Sequence, residues 1–388
     1  MKENRLNFLI LLAVIFTGCG KNNSYSQDSY KGGNKHAPVD ISSFPVAEGA
    51  YDINSRISGP LKDSLGKTLK KVFDLTGMSG ISAAMLVPGK GIWQIDTGFL
   101  SRPEGKKVDS TSVFYWASVS KLLTATVIDQ LITAQKLRGD SKLSEWFPQF
   151  QNASKITIDE LLMHTSGIYS FNNDPNTFSV TRYYNPSELI ELSLSRKNLF
   201  SPGTYWSYSN TGYLLLALIA EKVEGISFAK IIEQRISRPL HLTSLRVLDP
   251  GEKPANLALA HENGQIAAEA YSVPLGAGNI ISNAREMVII LYALLTGKLG
   301  PAAQVYSRFN DLYPMFDKGS YYGKGVMVTD FSELTGEKKL WIGHSGGTQT
   351  YRALVVYDVA TKAFVAVSIN QHVSVEAVAR KLLEQIKP

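Results

Sequence analysis

Apolar residues recur at three- and four-residue intervals over residues 61–75, the spacing that gathers them on one face of a helix. Two runs rich in β-branched and other apolar residues follow, 81–87 and 91–99, joined across Pro88-Gly89-Lys90-Gly91, a turn signal between strand-like segments. The far end of the chain mirrors this arrangement. Residues 339–343, 351–357 and 363–369 read as three strands, and 373–386 as a closing helix. The pattern predicts an α/β fold in which the two ends build one five-stranded antiparallel sheet with the terminal helices on one face.

The middle of the chain has a different period. Residues 121–134, 158–163, 187–194, 212–223 and 228–236 carry helical patterns separated by Gly, Pro and Asn, so a mostly helical insertion over roughly 118–270 divides the sheet's two halves. The globular domain is expected over 49–388. Ahead of it, residues 20–48 are polar, rich in Gly, Ser and Asn and without apolar periodicity, a tether whose reach is on the order of 30 Å. Lys2 and Arg5 precede the apolar run 8–16, which Thr17-Gly18-Cys19 closes. That is the organisation of an export signal, and the run is too short for a permanent membrane span.

Composition narrows the function classes. A hydrophobic content of 44% over 388 residues supports a large buried core. The formal charge of +6 is scattered without long runs of one sign, which argues against a nucleic-acid partner. Cys19 is the single cysteine, so no intramolecular disulfide exists. Phe-Thr-Gly-Cys resembles the lipobox of bacterial lipoproteins, although Phe16 stands where an aliphatic residue is usual. That resemblance implies a signal peptide ending at Cys19, lipidation of that residue, and an exported protein anchored in the cell envelope. The histidines show no metal-binding spacing, so neither a metal nor a cofactor is expected. A monomer acting on a small molecule or peptide is the expected state.

Candidate chemistry lies in three clusters. Ser-x-x-Lys on a helix sets a hydroxyl and an amine one turn apart, so that an unprotonated lysine can take the serine proton during attack on a carbonyl. The pattern occurs at Ser64/Lys67, Ser118/Lys121 and Ser227/Lys230. Only Ser118 directly precedes an apolar run, Leu122 to Ile128, which places its hydroxyl at a helix N-terminus beside a buried lysine. Burial lowers a lysine pKa and the helix terminus favours an oxyanion. The second cluster, Tyr208-Ser209-Asn210, follows the turn Ser201-Pro202-Gly203-Thr204; its tyrosine suits proton transfer and its asparagine a substrate amide. Tyr183-Tyr184-Asn185 repeats the spacing without such a turn. The third cluster is His344-Ser345-Gly346-Gly347, where glycine permits close approach and the Gly347 N–H can join that of Ser118 in an oxyanion hole.

In this order and at these separations, Ser-Val-Ser-Lys, Tyr-Ser-Asn and His-Ser-Gly resemble the serine β-lactamase and penicillin-recognising D,D-peptidase superfamily, in the branch that includes class C β-lactamases. The resemblance extends through Leu161 to Gly167, Pro202 to Ala220, Gly276 to Ser282 and His344 to Asp358. It implies a β-lactamase/transpeptidase-like fold and an acyl-enzyme on Ser118. Lys121 would accept the proton, and Tyr208 would protonate the leaving group and activate the deacylating water. Asn210, His344, Ser345 and Gly346 would bind substrate. Class C β-lactamases carry Lys where this chain has His344, so a partly protonated imidazole is expected to hold a carboxylate weakly and with pH dependence. The implied activity is hydrolysis of D-Ala-type peptides or β-lactams, with esterase chemistry or a silent penicillin-binding sensor as alternatives.

Gly343-His344-Ser345-Gly346-Gly347 also fits the nucleophile elbow Gly-x-Ser-x-Gly, but strand-like residues follow it where that motif needs a helix. His164 is expected to make a structural hydrogen bond. Arg352 is read as either a carboxylate contact or an ion pair, and Tyr115, Trp116, Tyr205, Trp206, Tyr321 and Tyr322 as pocket lining or core.

Overall fold

The structure is a computed structural model that describes residues 50–270 and 274–386. The expectations at Cys19 and along the tether lie outside the described residues.

Helix α1 (Gly59–Thr76) carries Pro60 in its first turn, where a fixed φ is suited, and stops at Gly77 with φ 62°. It leads into the hairpin β1 (Gly80–Val87) and β2 (Gly91–Ser101), edged by the short β3 (Lys106–Lys107). Next come β4 (Phe114–Tyr115) and the insertion helices α2 (Ser120–Thr133), α3 (Ile158–Leu162), α4 (Pro186–Leu194), α5 (Asn210–Glu224) and α6 (Phe228–Ile232). Strand β5 (Arg246–Val247), the hairpin β6 (His261–Glu262) and β7 (Gln265–Ile266), β8 (Ile280–Ser282), α7 (Ala284–Leu295) and α8 (Ala302–Ser307) return the chain to the sheet. There β9 (Tyr313–Pro314), β10 (Ser320–Tyr322), β11 (Met327–Asp330), α9 (Phe331–Thr335), β12 (Leu340–Gly347), β13 (Arg352–Asp358), β14 (Ala363–Ile369) and α10 (Val375–Leu383) complete the fold.

The main sheet runs β3-β2-β1-β14-β13-β12-β11-β10-β9, with every pairing antiparallel. The five expected strands are its centre, and the first strand of the chain pairs with the last, Ile81 opposite Ile369. The expected count of five is corrected to nine. The additional strands are two to four residues long, too short to show an alternation of their own.

Alternate residues of the central strands enter two cores. Ile81, Ala83 and Met85 pack with Leu354, Val365 and Val367 beneath α1 and α10. Ala84, Leu86, Val355 and Ala366 face the insertion and α7. Burial on both faces explains why these strands read as continuous apolar runs. Helix α7 lies on β1, β13 and β14, and its residues 286–295 are buried all round. The sequence pattern does not single it out.

A buried ion pair joins α2 of the insertion to the residue that follows α8. Arg308 is 1% exposed and its Nη2 lies 2.7 Å from Asp129 Oδ2 on α2. The same guanidinium donates to Thr126 Oγ1 at 3.0 Å and to the Lys324 carbonyl at 3.2 Å. Lys324 in turn meets Asp159 at 2.8 Å. Helix α2 is thereby tied to the loop before β11. Among the described residues no helix is long and apolar enough to cross a membrane.

Candidate active site

Three of the sequence clusters converge at the N-terminus of α2. The chain reaches it from β4 through Ala117, held at φ 46°, a left-handed conformation costly for a residue with a Cβ. A single helical turn at 117–119 then presents Ser118, which is partly exposed, while Lys121 is fully buried.

Lys121 Nζ has three partners: Ser118 Oγ at 3.0 Å, Asn210 Oδ1 at 2.7 Å and the Ala277 carbonyl at 2.7 Å. A neutral amine has two N–H groups and one lone pair. The carbonyl and amide oxygens can only accept, so they take both N–H groups and leave the lone pair directed at the serine hydroxyl. An ammonium would instead donate to all three. Both protonation states are therefore satisfied in one geometry, which suits a group that gains and loses a proton during turnover. Burial holds the Lys121 pKa well below its ordinary value, which favours the neutral form.

The partners of Lys121 are themselves fixed. Asn210 begins α5; its N–H donates to Ser170 Oγ at 2.9 Å and its Nδ2 to Asn172 Oδ1 at 2.9 Å. Ala277 sits in a turn where Gly276 N donates to Asn279 Oδ1 and the Gly276 carbonyl accepts from Thr124 Oγ1, one turn along α2 from Lys121. The stretch Gly276 to Ser282 thus contributes a backbone carbonyl, which no side-chain pattern discloses. Ser170 and Asn172 were likewise not singled out by spacing.

Tyr208 lies on the same side, with Lys121 Nζ 4.8 Å from its ring centroid. His164 positions it, with their ring centroids 4.2 Å apart. The Ser209 N–H donates to His164 Nδ1 at 3.2 Å and the Ser207 N–H to the His164 carbonyl at 3.0 Å. Burial pushes the His164 pKa well down, so the ring stays neutral and acts as a brace, in keeping with the expected structural hydrogen bond.

The His344-Ser345-Gly346-Gly347 cluster is the last half of β12, paired residue by residue with β13. No helix follows it, so the elbow pattern is incidental. His344 is fully buried behind the site. Its Nδ1 is 2.5 Å from the Ser345 carbonyl, which can only accept, so Nε2 is assigned as acceptor for Tyr322 Oη at 3.1 Å. Burial and the neighbouring Lys121 push its pKa down to about 3. The pH-dependent hold on a carboxylate expected of His344 has no charge behind it in this setting. Ser345 is partly exposed, with its hydroxyl 3.5 Å from Met327 Sδ.

Gly346 lies directly against the backbone of Ser118. A Cβ there would come within 2.7 Å of Ser118 N and 2.4 Å of the Trp116 carbonyl. Both are backbone atoms that no side-chain rotation can relieve. Gly346→Ala is expected to lower kcat/KM by about 100-fold or more, as one displaced oxyanion donor does. Steady-state kinetics on a correctly folded variant, verified by circular dichroism, would measure it.

The remaining matches have structural roles. Ser227 caps α6 and Lys230 pairs with Glu233. Ser64 donates to Gln385 Oε1, Tyr184 is core, and Asn185 caps α4. Arg352 is 8% exposed and its Nη1 donates to the Thr348 and Tyr351 carbonyls, stapling the β12–β13 turn. Tyr115, Trp116 and Tyr322 are buried core, and Tyr321 donates to Glu333. Tyr205 and Trp206 flank Tyr208 in an apolar cluster.

A family model described as beta-lactamase matches residues 67–386, which includes every element of this site. The chain belongs to the beta-lactamase family. Within it, penicillin-binding protein 4* of Bacillus subtilis (strain 168) is 28% identical over 325 residues, 76% of this chain and 70% of that protein. The D-amino acid amidase of Ochrobactrum anthropi SV3, solved with L-phenylalanine, superposes with a TM-score of 0.75 at 22% identity over 84% of this chain and 98% of its own. A D-stereospecific amidohydrolase from a Streptomyces species gives a TM-score of 0.68 at 25% identity over 84% and 97%. These similarities identify a serine hydrolase in a β-lactamase/transpeptidase-like fold.

Proposed function

We propose that this beta-lactamase family member hydrolyses amide bonds of D-amino-acyl compounds, D-Ala-type peptides or β-lactams through an acyl-enzyme on Ser118. The observation that carries the assignment is the buried Lys121 amine, 3.0 Å from Ser118 Oγ, with two pure acceptors, Asn210 Oδ1 and the Ala277 carbonyl, each at 2.7 Å to engage its N–H groups. Lys121 takes the hydroxyl proton as Ser118 attacks the carbonyl. The N–H groups of Ser118 and Gly347 stabilise the oxyanion. Tyr208 hands a proton to the departing nitrogen, then draws one from the water that releases the acyl group. Asn210, with Asn172 behind it, and Ser345 orient the substrate. The substrate class rests on the relatives, which include a D-amino acid amidase and a penicillin-binding protein.

Export and a lipid anchor at Cys19 belong to the same reading. They would hold the domain in the bacterial envelope, where D-amino-acyl peptides occur, and a monomer suffices for the site as built.

Incubation of the purified protein with a penicillin and, separately, with a fluorophosphonate is expected to place one adduct on Ser118, located by peptide mass spectrometry and absent from Ser118→Ala. The lifetime of the penicillin adduct separates rapid β-lactam turnover from slow release. Folded protein that carries no adduct on Ser118 with either reagent would overturn the assignment.

A further inference from the structure

Among the described residues, Phe316 is a large aromatic side chain left 47% exposed near the site, on the turn between β9 and β10. Its ring lies 5.3 Å from Trp206 and 6.0 Å from Tyr208, centroid to centroid. Met327 joins the same apolar cluster, and its sulfur accepts from Ser345 Oγ at 3.5 Å. Apolar side chains therefore extend from Phe316 past Trp206 and Tyr208, and the cluster that holds those two reaches Met327 beside Ser345 of β12. Burying an aromatic ring favours a fold by about 1.5–3 kcal/mol, so a ring held out beside a proton donor invites an apolar occupant.

The charges around these side chains give a carboxylate no firm hold. Lys121 is sealed behind Tyr208 with its three partners. His164 and His344 are buried among aromatic rings, Lys324 is committed to Asp159, and Arg352 donates to the carbonyls of its own turn. The Phe316 turn itself carries Asp317 and Lys318, one charge of each sign.

We propose that Phe316, Trp206 and Met327 form a leaving-group subsite that takes an apolar, uncharged amine or alcohol, so that amides and esters of such groups are cleaved in preference to peptides ending in a free carboxylate. The inference rests on the reading in which Tyr208 protonates the leaving atom, because that atom must then depart past these side chains. Ser118 Oγ forms the new C–O bond as the C–N or ester C–O bond breaks. The Ser118 proton passes to Lys121 and the leaving atom receives one from Tyr208. Water then adds to the acyl-enzyme, and the carboxylic acid departs as Ser118 regains its proton.

The test uses three substrates with one acyl half: the benzyl ester and the methyl ester of N-acetyl-D-alanine, and N-acetyl-D-alanyl-D-alanine. The benzyl ester is expected to exceed the methyl ester in kcat/KM by more than its leaving-group chemistry explains, and Phe316→Ser to lower the benzyl-to-methyl ratio about 10-fold. A wild-type preference for the dipeptide acid, or a Phe316→Ser variant that keeps the ratio, overturns the subsite while methyl ester turnover preserves the catalytic assignment. Absence of turnover on all three, with no fluorophosphonate adduct on Ser118, overturns both.

Discussion

Exchanging Lys121 for alanine lowers kcat/KM by about 10⁴-fold, the upper end of what a positioned general base contributes. Adding Ser118→Ala to it costs little more, since the two groups act as a unit. The upper end is expected because Lys121 Nζ lies 3.0 Å from Ser118 Oγ and is fully buried. Arginine at this position does not rescue, because a guanidinium stays protonated. The pH profile supplies a second readout. With its pKa held well below the ordinary value by burial, Lys121 is active as the free amine, so wild-type kcat/KM rises as pH climbs through that lowered pKa and then levels. This limb disappears in Lys121→Ala. Stability moves in the same direction: the unfolded chain keeps the lysine proton to about pH 10.4 while the folded chain releases it earlier, so folding gains stability as pH rises through that window. A variant that retains activity within tenfold, or keeps the acid limb, would remove Lys121 from the role of base.

The largest effect on stability is expected at the buried ion pair. Asp129→Ala leaves Arg308, 1% exposed, without its carboxylate and is expected to cost about 3–5 kcal/mol. The double variant Asp129→Leu with Arg308→Met removes both charges and should recover most of that loss, because neither ion then has to be desolvated. Chemical denaturation of the wild type, both single variants and the double variant measures the coupling. Equal losses in the single and double variants would show that packing volume, rather than charge, is what the pair supplies. Activity is expected to fall with Asp129→Ala as well. Arg308 holds the Lys324 carbonyl, and the next residue, Gly325, at φ 67°, rests against the Lys121 carbonyl and Tyr213 Oη. A Cβ at Gly325 would stand 2.3 Å from that of Ala125, so the loop fits under α2 only in this conformation.

Much of this was legible in the chain. Strands buried on both faces show as apolar runs bounded by turns, so residues 81–87, 351–357 and 363–369 match β1, β13 and β14 to within a residue. A helix with one wet face carries a visible period, as α1 does, whereas α2 is buried over Ser120 to Asp129 and shows as an apolar run. The pattern dimmed where an element was only two to four residues long, as in β3 and β9 to β11. Local spacing picked Ser118 and Lys121 over two other Ser-x-x-Lys pairs because a buried helix follows only the middle one.

What the chain determined by itself is therefore the order of the elements and the candidate groups they carry, since both follow from nearest-neighbour spacing and the burial of whole faces. The tertiary structure alone decided what those groups meet. Ala277 reaches Lys121 through a backbone carbonyl 156 residues away, Asn172 steadies Asn210 across 38 residues, and Phe316 is brought beside Tyr208 by a sheet edge. His344, a charge switch when read in sequence, becomes a neutral buried ring because the strand that holds it is buried against Tyr322 and beside the Lys121 amine. Protonation depends on desolvation and on charges brought near by folding, and no spacing along the chain encodes either.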